Sequence, residues 1–202
     1  MARCWGMLRK KIALFVSAAM NAPFIALVTF IPLILSQGRG SVPRLIAITA
    51  IFGAIIPLTS TFYMVKRGII PDVYSSDRRK RVKPFIVAMG SYLMGVAALL
   101  VVDAPRGVTA LMACYAMNSF ILLVITLIWK ISIHTSGVAG PVTALVFELG
   151  AKMMPLFLLA LPVAWARIEL KAHNLKQVVA GVLLSTWLTW LQMDLYVNYL
   201  LV

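Results

Sequence analysis

Long apolar stretches alternate with short polar ones along the whole chain, and this alternation predicts the elements of the fold. Most of the apolar stretches approach the roughly 20 residues that a helix needs to cross a bilayer. They lack the apolar–polar alternation of a membrane-spanning β-strand. The candidate spans are residues 12–36, 43–65, 85–102, 107–129, 135–151, 153–168 and 175–200. The pattern predicts an all-α integral membrane protein, a bundle of six to seven transmembrane helices in one domain, residues 1–202.

Two stretches of the pattern need separate interpretation. Spans 135–151 and 153–168 are short and are separated by "AKMMP", so we expect a hairpin whose members need not both cross the bilayer. The N-terminal "MARCWGMLRKK" is positively charged like a signal peptide, but the apolar run after it is too long for one. We therefore expect an uncleaved first span.

Composition supports the same class of protein. The chain is 62% hydrophobic and only 12% charged, whereas soluble domains carry roughly a quarter charged residues. The net charge of +13 is distributed around the spans, which favours anionic membrane lipids as partners rather than nucleic acid. No metal-ligand spacing occurs, and we expect no cofactor. The pattern leaves the oligomeric state open.

The positive charge is unevenly divided between the two sides that seven spans define. Of the 19 Lys and Arg residues, only Arg39, Arg44, Arg106 and Lys152 fall on one side. The positive-inside rule then places the N-terminus and the basic side in the cytoplasm. The residues of the basic side are Arg3, Arg9, Lys10, Lys11, Lys66, Arg67, Arg78, Arg79, Lys80, Arg81, Lys83, Lys130, Arg167, Lys171 and Lys176.

Both histidines fall on this basic side. His134 follows a span, and His173 lies two spans further on, so the two return to the same membrane face. An even number of spans also separates them from the basic loop at 66–84. A histidine near a membrane end is often only an interfacial residue. Two of them beside basic and hydroxyl neighbours favour a functional site.

The chemistry that fits these residues is phosphoryl transfer to a histidine. If a helix begins near Asn174, its positive end favours a neutral, nucleophilic His173. Gln177 lies four residues on, so its carbonyl oxygen can accept the Nδ1 proton and leave Nε2 to attack. Arg167 has a planar fork that suits bidentate contact with phosphate.

The segment "ARIELKAHNLKQ" resembles the third motif of the type 2 phosphatidic acid phosphatase superfamily, in which Ser-Arg is followed after five residues by His and after three more by Asp. Arg167 and His173 match this spacing, and "VVAG" at 178–181 also looks like the family. "SIH" at 132–134 is similar to the second motif, Pro-Ser-Gly-His, and Lys83-Pro84 to the Arg-Pro of the first. The resemblance covers about residues 66–185.

The resemblance implies a metal-independent lipid phosphate phosphatase. It assigns His173 as the nucleophile and His134 as the general acid, with Gln177 at the position of the aspartate that supports the nucleophile. The phosphate ligands that it implies, or that lie beside its first motif, are Arg167, Ser132, Lys83, Arg81 and Lys80. The chain departs from the family at Gln177, since an amide orients a ring but supplies no charge, and at Ile133, where the family has glycine.

Three functions remain open from the sequence. The first is hydrolysis of a lipid phosphate or isoprenoid diphosphate through a phosphohistidine at the cytoplasmic face. The second is non-catalytic binding or movement of anionic lipids by the basic residues. The third is a UbiA-type prenyltransferase, with Asp72 and Asp77 holding magnesium, although that family has two aspartate-rich segments and only one occurs here.

Overall fold

A computed structural model describes residues 2–38, 40–71 and 78–201 of the chain. Every regular element among these residues is helical. A π-helical turn, Ile51–Ile55, joins α3 to α4, and 3₁₀ segments, Arg78–Arg81 and Ala151–Leu159, precede α5 and α8. The α-helices are α1 (Ala2–Ala19), α2 (Ala22–Gln37), α3 (Val42–Ala50), α4 (Ile56–Lys66), α5 (Val82–Val101), α6 (Arg106–Ile128), α7 (Ile133–Leu149), α8 (Ala160–Glu169) and α9 (Leu175–Leu195).

Among the residues that the structure describes, five helical segments are long and apolar enough to cross a membrane, and the bent pair α1–α2 makes a sixth if it counts as one span. The prediction of a multi-pass helical membrane protein is therefore confirmed. The five segments are Val42–Lys66, Val82–Val101, Arg106–Ile128, Ala151–Glu169 and Leu175–Leu200.

The first predicted span, 12–36, is interrupted in the structure. The helix axis bends by 50° between α1 and α2. Asn21 causes the break, because its extended backbone leaves the helical path while its side-chain oxygen accepts the N–H of Phe24 at 3.0 Å, as an N-cap does. Pro23 stands in the first turn of α2, where its missing N–H costs nothing.

Helix α7 differs from an ordinary span because it has 17 residues and is mostly buried by other helices. Small residues let those helices approach closely. A Cβ on Gly137 would lie 2.7 Å from that of Ala22 in α2, and one on Gly181 in α9 would lie 2.5 Å from Thr135 Oγ1. Its expected hairpin partner, 153–168, lies within the continuous segment Ala151–Glu169.

The helix directions bring several helix ends to one end of the bundle. Helices α5, α7 and α9 begin there, and α8 ends there. Helix α2 also starts at this end and runs to the other, where Gln37 Nε2 donates to Glu148 Oε2 at 2.8 Å. Between the two ends lies an apolar core that includes Phe30, Leu111 and Tyr115.

Candidate active site

The turn between α8 and α9 holds Arg167 beside His173. Lys171 adopts a left-handed conformation, with φ of 51°, and terminates α8. The backbone N–H groups of Ala172 and His173 then donate to the Arg167 carbonyl at 3.0 and 3.2 Å. Arg167 and His173 are six positions apart in sequence and do not share a helical face, and this turn brings them together.

His173 directly precedes the capped start of α9. Asn174 is the N-cap and accepts the N–H of Gln177 at 3.0 Å, while Gln177 Oε1 accepts the N–H of Asn174 at 3.3 Å. The same Gln177 oxygen lies 3.0 Å from Nδ1 of His173. An amide oxygen only accepts, so this contact assigns the proton to Nδ1 and leaves Nε2 as the basic nitrogen of the neutral ring.

His134 lies in the first turn of α7 and is half-buried. Its ring donates a hydrogen bond to the backbone carbonyl of Ser17 in α1. The residues directly after His134 form hydrogen bonds between α7 and α9. Thr135 Oγ1 donates to the carbonyl of Val178, and Ser136 Oγ to that of Gly181, both at 3.1 Å.

Arg81, His134, Arg167 and His173, which we call the histidine–arginine cluster, line a single cavity of about 320 Å³. Arg81, Arg167 and His173 are buried, with 4%, 2% and 7% of their surfaces exposed. The cavity continues into the bundle as an apolar chamber. Its wall is mostly apolar and includes Pro57, Leu58, Phe62, Phe85, Ala88, Leu111, Cys114 and Tyr115, together with the polar side chains of Asn118, Ser185 and Thr189.

Three of the predicted phosphate ligands lie away from this cavity. Ser132 is buried, but its hydroxyl accepts the N–H of Thr135 at 3.4 Å and caps α7. Lys80 and Lys83 are exposed and do not line the cavity. Helical register explains the difference, because Arg81 and Phe85 share the inward face of α5 and Lys83 points elsewhere.

Burial and positive charge act together on His173. Loss of solvent, and then the nearby Arg81, Arg167 and Lys130, lower the pKa of His173 to about 4, although the contact with Gln177 opposes this shift. The ring is therefore neutral at pH 7. Lys130 belongs to the same electrostatic environment, since partial burial, Arg81 and Arg167 lower its pKa.

Two residues of the site were not predicted from the sequence. Lys130 was counted only as a charge, although it lies four residues before His134 and near the arginines. Ser17 contacts the site twice, since its hydroxyl also accepts a hydrogen bond from Arg167 Nη1 at 2.9 Å. Its place inside an apolar run, far from every motif, gave no signal of this role.

Within 2–38, 40–71 and 78–201, no three His, Cys, Asp or Glu residues are grouped as metal ligands. Asp72 and Asp77, the magnesium ligands of the prenyltransferase hypothesis, lie outside the described residues. Comparison with protein-family models, curated proteins and solved structures gives no match for the chain. The resemblance to the phosphatase superfamily thus stays a prediction.

Proposed function

We propose that the protein is a membrane-embedded phosphatase that hydrolyses a lipid phosphate or an isoprenoid diphosphate through a phosphohistidine intermediate. The observation that carries the proposal is the histidine–arginine cluster standing at one end of an apolar chamber. A phosphate group fits the cluster because the arginines supply planar, always charged donors. The hydrocarbon part of an amphiphile fits the chamber.

The depth of the chamber supports a lipid rather than a soluble ester. Leu111 lines its inner part and lies about 25 Å of helical rise from the end of α6 at Ile128. This length is comparable with the ~30 Å hydrocarbon core of a bilayer. The hydrocarbon chain of a bound substrate would contact the apolar protein wall instead of membrane lipid. Its phosphate would stay at the end of the bundle.

The reaction has two steps, phosphoryl transfer to His173 and hydrolysis of the phosphohistidine. Nε2 of neutral His173 attacks phosphorus, and the bond to the leaving oxygen breaks. Burial and the nearby Arg167, His173 and Arg81 lower the pKa of His134 to about 3, so His134 takes a proton from the bound phosphate monoanion and passes it to the leaving oxygen. Water then attacks the phosphohistidine, His134 takes the proton from water, and inorganic phosphate leaves. Arg81 and Arg167 hold the phosphoryl oxygens, whose charge is spread in the transition state.

Gln177 has a defined part in this mechanism. Its oxygen holds Nδ1–H of His173, which keeps the ring in the tautomer that attacks through Nε2. It does not neutralise the positive ring that forms during attack. We therefore expect slower turnover than a carboxylate at this position would give, which Gln177→Asp tests by an increase in kcat.

The test is phosphate release by purified protein in EDTA, from phosphatidic acid, other lipid phosphates and isoprenyl diphosphates, with vanadate as an inhibitor. His173→Ala should lose activity by about 10³-fold or more. His134→Ala should lose most on lipid esters and little on p-nitrophenyl phosphate, whose leaving group needs no proton. Lys176→Ala, an exposed neighbour in α9, is the matched control.

Three outcomes would contradict parts of the proposal. Release that persists in His173→Ala would remove this residue as nucleophile. Equal losses of His134→Ala on both kinds of ester would remove His134 as the acid. Binding of lipid phosphates to the wild-type protein without any release would instead support the non-catalytic lipid-binding function.

A further inference from the structure

Helix α1 lies outside the region of the chain that carries the motif resemblance, yet one of its residues contacts two members of the histidine–arginine cluster. Ser17 is fully buried. Its hydroxyl accepts a hydrogen bond from Arg167 Nη1 at 2.9 Å, and its backbone carbonyl accepts one from the ring of His134. A single residue thus joins the end of α8 to the start of α7.

Contacts on both sides of Ser17 in the chain fix its position. On the α1 side, Ala13 is fully buried one turn earlier, and Arg9 Nη2 forms an ion pair with Glu169 Oε2 at 3.1 Å. This partly exposed pair contributes little stability by itself but marks where α1 meets the end of α8. Four residues after Ser17, the Asn21 cap begins α2, whose Ala22 packs against α7.

This arrangement restricts a side chain that is otherwise flexible. An arginine has several rotatable bonds, and its five donors recognise phosphate well only when the plane of the guanidinium is held in one orientation. The contact with Ser17 uses one Nη donor and so orients the remaining donors. The carbonyl of Ser17 holds the His134 ring in the same way, by one of its nitrogens.

We propose that Ser17 is a positioning residue that orients Arg167 for phosphate binding and His134 for proton transfer, so that α1 is a structural part of the active site. The inference rests on the proposed function for the role of His134. The part concerning Arg167 requires only that the cluster binds phosphate. The two contacts come from different atoms, which allows them to be separated by mutation.

Ser17→Ala removes the hydroxyl and keeps the carbonyl. It should weaken binding of inorganic phosphate or vanadate about tenfold or more, because a hydrogen bond to a charged group is lost. KM should rise to a similar extent. Because the contact of the Ser17 carbonyl with His134 stays intact, kcat should change by less than about threefold. Ser17→Thr keeps a hydroxyl and should restore binding. Ser36→Ala is the control, because Ser36 Oγ donates to the Leu33 carbonyl in its own helix.

A double-mutant cycle separates positioning from general loosening of α1. In an Arg167→Lys background the Nη1 donor is absent, so adding Ser17→Ala should cause little further loss of phosphate binding. An equal loss in both backgrounds, or unchanged binding in Ser17→Ala alone, would overturn the inference. Phosphate binding that depends on Ser17 in a protein without phosphatase activity would refute the proposed function and leave the positioning of Arg167 supported.

Discussion

The two sides of the histidine–arginine cluster are built differently. On the histidine side, the first turns of α7 and α9 touch, and hydroxyl groups of one helix donate to carbonyls of the other. On the side of Arg81, a 3₁₀ turn leads into α5, and Arg81 reaches the cavity through the register of that helix. Direct helix contact positions the histidines, while helical rotation selects which cation faces inward.

The small residues at the α7–α9 contact show why the distinction matters. A Cβ on Gly181 would lie 2.7 Å from the backbone oxygen of Ser132, which cannot move aside without shifting α7. A Cβ on Gly90 of α5 would meet nothing within 4 Å. The α7–α9 contact is therefore tightly restricted, whereas α5 is open at Gly90, and substitutions on both sides of the cluster test this comparison.

The largest effect is expected from Gly181→Ala. The added methyl group should force α7 and α9 apart, lower the free energy of unfolding by about 1–3 kcal/mol and abolish most phosphate release. Gly90→Ala is the matched control and should be neutral or slightly stabilising, because alanine favours helix. Denaturant unfolding in detergent, followed by activity measurements, checks both. Equal behaviour of the two variants would show that the α7–α9 contact does not restrict the site.

A smaller effect separates the cations at the start of α5. Arg81→Ala should raise KM for a lipid phosphate by about tenfold or more, because a buried, charged hydrogen-bond donor is lost from the cavity. Lys83→Ala should change KM less than about twofold, as expected for an exposed charge. Steady-state kinetics at fixed ionic strength measures both. A larger effect at Lys83 would restore the role that the motif resemblance gave it.

The smallest effect concerns pH. With a pKa of about 4, neutral His173 predominates above that pH, and the acid limb of kcat/KM should lie near it. Gln177→Glu keeps the capping geometry of α9 and adds a carboxylate that favours the charged ring. The limb should move upward by about 1 pH unit or more, despite the opposing charges of Arg81, Arg167 and Lys130.

Gln177→Ala should shift the acid limb of kcat/KM in the opposite direction. The Gln177 contact raises the pKa of His173 against the effect of burial, so its removal should move the acid limb downward. Rate profiles between about pH 3 and 8 distinguish the two variants. A limb that stays in place in both variants would mean that His173 does not control it.

Features that depend on neighbours in sequence were predictable. The lengths of the apolar runs predicted a multi-pass helical protein, and the four-residue spacing predicted the contact of Gln177 with His173. The break between α1 and α2 was missed although its signal, Asn21 before Pro23, was present. An uninterrupted apolar run outweighed that signal in the interpretation.

Other features depend on residues far apart in the chain. The sequence placed Arg81, Lys80 and Lys83 together as phosphate ligands, but only the packing of α5 distinguished the buried arginine from the exposed lysines. Ser132 matched a motif by spacing, yet in the structure its hydroxyl is used to cap α7. Ser17 was not predicted, because its two contacts come from α7 and α8.

The sequence by itself determined the class of protein, the approximate spans and the end of the bundle where polar residues gather. These follow from hydrophobicity and from periodicity along a helix, which are local properties. Only the tertiary structure decided that α1 contributes to the site, that α7 is a short buried helix and that Arg81 is the inward cation. Those outcomes depend on which helix faces meet, and helix contacts are determined by the shapes of side chains distant in sequence.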